Sequence, residues 1–502
     1  MNSNFSAVAG PVHLNVGLCL SRTIVRQWHA QLVDVLKAMG VNPSIHWTDS
    51  SEPSPPGLES LFALERLLWP RSRERPSVRI APDRLVMPDS HELESVRLVL
   101  PGATMPLGEG TIWRIRFDGH HDEASLLHVL LKGRPPLIEV VENDEVVLAR
   151  GIVAMDAVAT LCDAYEAVAT RLVQLVAMAI RAPDRRAPAV PITAIGPGSL
   201  GAYALRRVAR LLVRRMYRLC AYPDHWRTGW RFARPGETVW DKGTVDGAPW
   251  RVLTGPGHHF YADPFPFSWQ GQSALFVEDF DHRVGRAVIS AFPFGPDGPV
   301  GPAVPVLEES FHLSYPFVFE HAGNVWMIPE TAANRTVSLY RADPYPWRWV
   351  RDRDLLTDLV ASDATVVEHG DRWWMFATLH DGTGSYSDTL GLFTASSLFG
   401  PWIAHPHNPI IIDAGMARPA GCMRIHEGRL WRPAQDCTQR YGGALVLAEV
   451  TELSESHFTQ IIRHRIQPGP DWTGSRLHTI NCAGGIEAID GSAVSLKLFG
   501  QV

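Results

Sequence analysis

Five acidic side chains lie inside or beside apolar segments in the second half of this 502-residue chain. They are Asp263, Glu278, Glu330, Asp363 and Asp436. A charge among apolar residues costs free energy unless it is paired, so carboxyl groups in such places usually serve a purpose. General acid–base catalysis needs one group that donates a proton and another that accepts one. The sequence therefore predicts a site in which several of these carboxyl groups act together.

The acids recur with a phrase that the chain repeats. The segment "HFYADPFPF" around Asp263 returns as "HLSYPFVF" around Tyr315, and further copies are centred on Asp363, Gly421 and His478. Successive centres lie about 50 to 60 residues apart, the length of one four-stranded propeller blade. At a constant interval after the first four centres a second strand ends, at Glu278, Glu330, Thr378 and Asp436.

The spacing also predicts where these side chains meet. A tight turn between the two strands of each copy would return both marked residues to the same end of the blade. Five blades around one axis would then direct the acids into a central funnel. The sequence predicts an all-β five-bladed propeller over residues 237–502.

The first part of the chain has a different pattern. Over residues 1–182, strand-like segments such as "VHLNVGL" alternate with helical segments such as the one from Thr23 to Met39, which predicts an α/β domain. Residues 183–236 begin with a linker rich in Pro and Gly and continue with a basic amphipathic helix over residues 202–219. That helix either lies in the interface of an anionic membrane or packs its apolar face between the domains.

The composition is that of a globular protein, with 45% hydrophobic and 20% charged residues. A net charge of −6 gives no reason to expect a nucleic-acid partner. The six cysteines are scattered and the N-terminus lacks a signal-peptide pattern, so we expect a cytoplasmic protein that contacts the inner face of the membrane, if at all, through the helix over 202–219. No segment has dedicated metal-ligand spacing, so we predict no metal, and no motif indicates a particular cofactor.

The N-terminal domain resembles the N-terminal domain of folate-dependent formyltransferases. The resemblance rests on "PLIEVV", "EVVLARG" and the long helix that follows, over residues of about 90–180. That family uses an Asn, a His and an Asp, and this set has no clear counterpart here. The nearest polar cluster is His120, His121 and Asp122, which we interpret as a solvated loop. The resemblance thus implies a degenerate, non-catalytic copy.

The repeats themselves resemble a second family. The segments "HLSYPFVFEHAGNVWMIPET", "DATVVEHGDRWWMFAT", "RPAGCMRIHEGRLWRPAQDCTQRYGG" and "LHTIN" are similar to the N-terminal propeller of glucosamine inositolphosphorylceramide transferases, over about Asp263 to Gly491. A five-bladed propeller with an acidic funnel also resembles glycan enzymes of the arabinanase and fructosidase type. These resemblances imply that the partner is a sugar nucleotide, a glycan or a glycolipid.

The resemblance to the glycan enzymes implies roles for individual acids. Asp263 matches the place of their base or nucleophile, while Asp363 and Glu330 are candidates for tuning a pKa and donating a proton. Glu278 could have this role instead of Glu330. Glycosyl chemistry needs two such carboxyl groups roughly 5 to 10 Å apart. The second inner strand carries Tyr315 where an Asp is usual, which argues against ordinary furanosidase chemistry.

A further group of residues is predicted to bind the substrate, because arginine offers a bidentate fork and the others offer hydrogen bonds to sugar hydroxyls. They are Tyr315, Arg418, Arg432, Gln435, Asp436 and His478. In the transferases named above a separate glycosyltransferase domain follows the propeller, so this propeller either catalyses by itself or only binds. Three functions therefore remain: a glycosyltransferase, a glycoside hydrolase, and a sugar-binding scaffold without catalysis. Formyl transfer to an amino sugar lacks its set of residues.

Overall fold

The computed structural model describes residues 14–49, 56–69, 75–85, 94–104, 110–182, 186–189, 191, 194–380, 384–497 and 500–501. These residues form an N-terminal α/β domain, a long helix and a C-terminal β-propeller. The predicted linker from residue 183 onward lies partly outside the described residues. The six cysteines are free thiols, and the expected cytoplasmic location stays a prediction.

The N-terminal domain is built on one seven-stranded sheet with the order β2-β1-β3-β4-β5-β6-β7. Its strands are β1 (Asn15–Ser21), β2 (Asn42–Thr48), β3 (Val96–Val99), β4 (Thr111–Phe117), β5 (Leu137–Glu142), β6 (Val146–Ile152) and β7 (Ala187–Pro188). The pairs up to β4 are parallel and those beyond it are antiparallel. The domain is α/β, as predicted, whereas its likeness to formyltransferases stays a prediction.

Helices accompany this sheet. They are α1 (Gln27–Ala38), α2 (Leu58–Leu68), α3 (Glu123–Leu131), α4 (Leu161–Arg181) and a 3₁₀ turn (Pro82–Leu85). The central one is α4, which contacts β5, β6 and the other three helices and is buried over most of its length. Its start is fixed by Thr160, whose hydroxyl accepts the N–H of Asp163 at 3.0 Å.

His120, His121 and Asp122 lie in the loop before α3, as predicted, but they are half-buried and not fully solvated. Asp122 caps α3, since its carboxylate accepts the N–H of Ser125 at 2.6 Å. His121 Nδ1 lies 3.1 Å from the carbonyl oxygen of Ile115. The cluster therefore has a structural task at the start of a helix.

The propeller has five blades, as predicted. The chain enters it through α5 (Leu200–Cys220), β8 (His225–Phe232), α6 (Val239–Lys242) and β9 (Arg251–Val252). Blade one holds β10 (His259–Trp269), β11 (Gln272–Asp281), β12 (Arg286–Gly295), β13 (Gly298–Pro299) and β14 (Val304–Leu307). Blade two holds β15 (Ser314–His321), β16 (Asn324–Glu330), a 3₁₀ turn (Ala332–Asn334), β17 (Thr336–Ala342) and β18 (Trp349–Thr357).

The remaining blades follow the same plan. Blade three holds β19 (Val360–His369), β20 (Arg372–His380), β21 (Thr389–Ala395), β22 (Ile403–Ala404) and β23 (Ile411–Ile412). Blade four holds β24 (Arg424–His426), β25 (Arg429–Asp436), β26 (Ala444–Leu453) and β27 (Phe458–Ile466). Blade five holds β28 (Ile480–Ala483) and β29 (Ile486–Ala493), and a last hairpin pairs β30 (Ser495–Leu496) with β31 (Gly500–Gln501).

Blade five is completed by strands from before the first blade. Its order is β28-β29-β8-β9, and β8 pairs with the whole of β29 in antiparallel register. The predicted boundary at residue 237 therefore cuts through the propeller, because β8 belongs to it. Pairing the two ends of the ring in one sheet leaves no open edge between the first and last blades.

The N-terminal domain packs against blade three. Arg171 of α4 pairs with Asp388 at 2.9 Å, and both side chains are fully buried. The N–H of Ala154 also donates to Asp388, at 2.9 Å. Close contact continues at Gly151, where an added Cβ would lie 2.3 Å from the carbonyl oxygen of Ile412. These contacts hold the segment after β6, which includes Asp156, beside the propeller.

Candidate active site

Three inner strands share an irregularity at the predicted centres. The ladder shifts register just around Asp263 in β10, Tyr315 in β15 and Asp363 in β19. At these residues φ is +48°, +46° and +56°, a left-handed conformation that non-glycine residues rarely adopt. Each bulge lets the side chain leave the alternation of its strand. The Asp263 carboxylate thereby meets the N–H of Tyr315 in the next blade.

The ends of the return strands face these bulges. Glu278 pairs with Ala262, Glu330 with Ser314 and Thr378 with Ser362, so each stands beside the residue that precedes a bulge. This is the arrangement that the spacing predicted for the first three blades.

Blade four departs from the prediction by one residue. Pro419 bridges Ala434, and the N–H of Gln435 donates to the carbonyl oxygen of Arg418 at 2.8 Å. The position that Glu330 holds in blade two thus belongs to Gln435 in blade four. Because side chains alternate along a strand, Asp436 points to the other side.

Two of the predicted site residues therefore lie outside the cluster. Asp436 accepts the N–H and the hydroxyl of Thr438 and pairs with Arg465 of β27. The buried guanidinium of Arg432 donates to the Met416 and Ala417 carbonyl oxygens and to Gln460. Burial lowers the pKa of Arg432 to about 9. Both residues hold blade four together.

Asp263 is held by donors from blades two and five. Its Oδ1 accepts the hydroxyl of Thr479 at 2.7 Å and lies 3.4 Å from His478 Nε2, while its Oδ2 accepts the N–H of Tyr315 at 3.2 Å. His478 Nδ1 in turn lies 2.5 Å from Asp490 Oδ1. Burial raises the pKa of Asp263, the His478 charge opposes that rise, and the Asp490 charge adds to it.

His478 links two carboxylates. Burial works against its protonated ring, but the charges of Asp490 and Asp263 raise the pKa of His478 above its ordinary value. The ring also stacks on Trp226, with centroids 4.1 Å apart. The imidazole is thereby fixed between Asp263 and Asp490.

Asp363 has the same backbone position as Asp263 but a different partner. Arg418 Nε lies 2.6 Å from Asp363 Oδ2, and Gln435 Nε2 lies 3.5 Å from the same oxygen. The Arg418 guanidinium also sits over the Tyr441 ring, 5.0 Å from its centroid. Burial raises the pKa of Asp363, and the Arg418 charge lowers it.

Glu330 and Glu278 are the acids with the most strongly shifted protonation. Burial, followed by the Asp363 charge, raises the pKa of Glu330 to about 8, although Arg418 Nη2 lies 3.7 Å away. In its protonated form Glu330 donates a hydrogen bond to Asp363. Burial and the neighbouring carboxylates raise the pKa of Glu278 well above its ordinary value. The pKa values of these four funnel acids are thus all raised, that of Glu330 to about 8.

A cavity of about 570 Å³ gives access to one side of this cluster. From the propeller it is lined by residues that include Glu330, Arg335 and Arg418, and from the N-terminal domain by Asp156. Asp156 accepts the hydroxyl of Ser387 at 2.7 Å, which ties the two walls together. Of the four carboxyl groups of the funnel, Asp263, Glu278, Glu330 and Asp363, the lining includes Glu330, whereas Asp263 and Asp363 lie deeper, at 5% and 2% exposure.

Among the residues that the structure describes, two groups of side chains have the geometry to hold a metal ion. Ligand atoms of Asp263, His478 and Asp490 lie within 4.8 Å of one another, and so do those of a second group, His258, His259 and Asp281. In the first group the imidazole nitrogens are already engaged with both carboxylates. The absence of a metal thus stays a prediction.

Several residues of the cluster were not predicted from the sequence. Asp490 lies on the return strand of blade five, next to the Ile480–Ile489 pair, and accepts the N–H of Thr479 at 2.9 Å, so it holds a place like that of Glu278 in blade one. The interval between the two marked residues is shorter in blade five than in the first four blades, so a constant interval does not predict Asp490. Trp226 and Tyr441 carried no comparable signal, because they come from an outer strand and a loop.

Comparison with known proteins gives matches in the part of the chain that forms the propeller. A family model described as "Glucosamine inositolphosphorylceramide transferase 1, N-terminal" matches residues 254–486. Glucosamine inositolphosphorylceramide transferase 1 of Oryza sativa subsp. japonica is 32% identical over 201 residues, 38% of this chain and 27% of the relative. The Arabidopsis thaliana protein of that name is 29% identical over 232 residues, 44% of this chain and 30% of the relative. These matches confirm the resemblance predicted for the propeller.

The chain spans less than a third of the length of these relatives. Among solved structures, Zg3597, a family 117 glycoside hydrolase from Zobellia galactanivorans, matches with a TM-score of 0.35 and 12% identity, over 53% of this chain and 90% of that one. A thermostable family-43 glycoside hydrolase matches with a TM-score of 0.31 and 14% identity, over 42% of this chain and 77% of that one.

Proposed function

We propose that the propeller funnel catalyses glycosyl transfer to a glycolipid by acid–base chemistry. The observation that carries the proposal is Glu330, an acid with a pKa raised to about 8 that lies at a cavity beside other carboxyl groups. A group of this kind is protonated near neutral pH and can donate its proton to a departing oxygen. Perturbed acids that border a cavity are the usual mark of a catalytic site.

The residues divide the reaction between them. The bond between the sugar carbon and the leaving oxygen breaks while Glu330 gives that oxygen a proton. Asp263 accepts the proton of the acceptor hydroxyl that forms the new bond, so one proton passes from acceptor to leaving group overall. Asp363 keeps the pKa of Glu330 high through its charge. Glu278, whose pKa is also raised by burial and by the neighbouring carboxylates, is the alternative proton donor.

The cationic groups near the funnel support a phosphorylated sugar donor. Arg418 and Arg335 line the cavity with Glu330. A second cavity of about 670 Å³ is lined by Arg440, Arg476 and Trp226, and Trp226 stacks on His478. Guanidinium groups bind phosphate oxygens through paired hydrogen bonds, as a sugar nucleotide would require. The names of the relatives add support for a glycolipid acceptor.

Hydrolysis is the second candidate, because the same pair of carboxyl groups could act on water instead of an acceptor. A sugar-binding scaffold is the third, and the ion pair between Asp363 and Arg418 favours it, since that pair neutralises one acid. For the N-terminal domain we propose a degenerate formyltransferase-like fold that serves as a wall of the cavity through Asp156.

The test is a turnover assay of the full chain with a panel of sugar nucleotides and a glycolipid acceptor, with products identified by mass spectrometry. We expect a glycosylated lipid from the wild type and about 10²–10⁴-fold slower formation of it from Asp263→Asn. The matched control is Asp358→Asn, the same change at an exposed aspartate with φ of +61°. If free sugar is released at the same rate without acceptor, the protein is a hydrolase and not a transferase. If the ligand binds but no turnover occurs, the protein is a sugar-binding scaffold.

A further inference from the structure

The long helix α5 exposes an apolar stripe to solvent. None of its 21 residues is buried. Leu205, Val208, Leu212, Met216 and Leu219 are 72%, 54%, 60%, 62% and 67% exposed. Their spacing of three or four residues places them on one face of the helix. An exposed stripe of this size normally marks a surface that binds something.

The first turn of α5 packs Leu200 and Tyr203 against the N-terminal domain, but beyond it the contacts with the domain come from arginines and not from the apolar stripe. Arg206 donates to the carbonyl oxygen of Leu131 at 2.6 Å, and Arg207 lies 5.9 Å from the centroid of the Trp69 ring. On a surface helix of a globular protein the apolar side normally faces the core. Here the orientation is reversed, so packing between the domains does not account for the stripe.

The neighbouring helix α2 extends the apolar surface. Leu64, Leu67 and Leu68 are 51%, 77% and 56% exposed, and Trp69, which follows the helix, is 37% exposed. The contact between Arg207 and Trp69 shows that this group lies next to α5. Two neighbouring helices of this region therefore expose apolar side chains to solvent.

The same region is strongly basic. The six arginines of α5 are Arg206, Arg207, Arg210, Arg214, Arg215 and Arg218, and the helix contains no acidic residue. A cavity of about 110 Å³ next to it is lined by Lys132, Arg134 and three of these arginines, and its lining includes no acidic residue among those described. Cations beside an apolar stripe match the phosphates and acyl chains of a lipid surface.

We propose that α5 and the end of α2 dock this protein on the surface of an anionic phospholipid membrane. The apolar stripe lies at the boundary between headgroups and acyl chains, and the arginines in the second half of the helix, Arg214, Arg215 and Arg218, bind lipid phosphates. A second copy of the chain fits this surface less well, because two such helices would bring arginine against arginine. Among the described residues, no helix has the length and apolarity that a membrane span requires, so the contact is peripheral.

Docking in this way would place the funnel close to its lipid substrate. Tyr217, near the end of α5, lines the same 670 Å³ cavity as Trp226, whose ring stacks on His478 beside Asp263. This consequence rests on the proposed function, whereas the membrane contact does not. The two are therefore tested by separate experiments.

The test is flotation of the full chain with vesicles of phosphatidylcholine alone and of phosphatidylcholine mixed with phosphatidylglycerol. We expect the wild type to float with the anionic vesicles, and a Leu205→Ser, Leu212→Ser, Met216→Ser variant to lose at least about tenfold in affinity. The matched control changes Val284, Ile403 and Ile425 to serine, three propeller residues that are 65%, 57% and 64% exposed. It is expected to float like the wild type.

A second variant tests the charges. Replacing Arg214, Arg215 and Arg218 by glutamine should weaken binding to anionic vesicles by about tenfold or more and leave binding to neutral vesicles unchanged. The proposal is overturned if the wild type floats with neither vesicle, or if the serine variant of α5 binds as well as the control. It is also overturned if light scattering shows a dimer that the α5 serine variant converts to monomers, since a second copy would then cover the stripe.

Discussion

Asp263 and Asp363 occupy the same place in two blades and have different surroundings. Both lie within the same kind of register shift in an inner strand, and both have positive φ. Asp363 is paired with the guanidinium of Arg418. Asp263 instead accepts a hydroxyl and a backbone N–H and lies beside His478, which can gain or lose a proton.

The difference shows how a repeated fold produces unlike acids. The bulge supplies the geometry in each blade, while the partner from the neighbouring blade decides what the carboxyl group can do. Asp363 has a fixed counter-charge, so its main effect is on the pKa of Glu330. Asp263 is hydrogen-bonded as an acceptor, which suits a base.

The first prediction separates the two aspartates by turnover. Asp263→Asn should lower kcat by about 10²–10⁴-fold, the contribution of a general base. Asp363→Asn should retain more turnover but shift its pH dependence. Because Glu330 must be protonated to act, wild-type turnover should fall as the pH rises through a pKa of about 8. Without the Asp363 charge, the pKa of Glu330 and that midpoint should both be lower.

The measurement is kcat against pH for both variants, with Asp358→Asn as the control that should match the wild type. Equal losses of turnover with an unchanged midpoint would mean that the two aspartates do not differ in role.

The second prediction concerns the counter-charge of Asp363. Arg418→Met leaves that carboxylate buried without its partner and should reduce the free energy of unfolding by about 3–5 kcal/mol. Arg465→Met is a suitable control, because Arg465 pairs with Asp436 at a more open place, 41% exposed, and should cost less than about 1 kcal/mol. Urea unfolding of the three proteins measures both effects. Similar losses in the two variants would contradict the distinction between the buried Arg418–Asp363 pair and the more open Arg465–Asp436 pair.

The third prediction addresses the blade that has no aspartate at its bulge. The Tyr315 hydroxyl accepts the N–H of Gly421 at 2.7 Å and lies 2.9 Å from the Thr365 hydroxyl. Tyr315→Phe removes the acceptor and leaves a buried N–H without a partner, so it should reduce the free energy of unfolding by about 1–3 kcal/mol. If thermal and urea unfolding show no change, Tyr315 is not the link between blades two and four.

The propeller could be predicted because its repeats are local hairpins. Strand, turn and return strand follow one another in the chain, so a constant interval places Glu278, Glu330 and Thr378 correctly. The same interval fails in blade four, where the inner strand between Arg418 and Arg424 is irregular. One residue of error turns a side chain to the other side, so Gln435 replaces Asp436 in the funnel.

Other features depend on contacts between distant segments, which local pattern does not reveal. The strand β8 completes blade five from before the predicted boundary. Asp156 reaches the cavity because Arg171 and Asp388 join the domains. The sequence indicated that α5 is amphipathic, but only its contacts show that Arg206 and Arg207 face the domain.

The most direct test of the account is the protonation state of Glu330. Infrared difference spectroscopy between the wild type and Glu330→Gln reports the carbonyl band of the protonated carboxyl group as the pH is raised. We predict a band at neutral pH that disappears with a midpoint near the pKa of about 8. A carboxyl group that is already ionised at neutral pH, with a midpoint near the ordinary glutamate value of about 4.3, would contradict it.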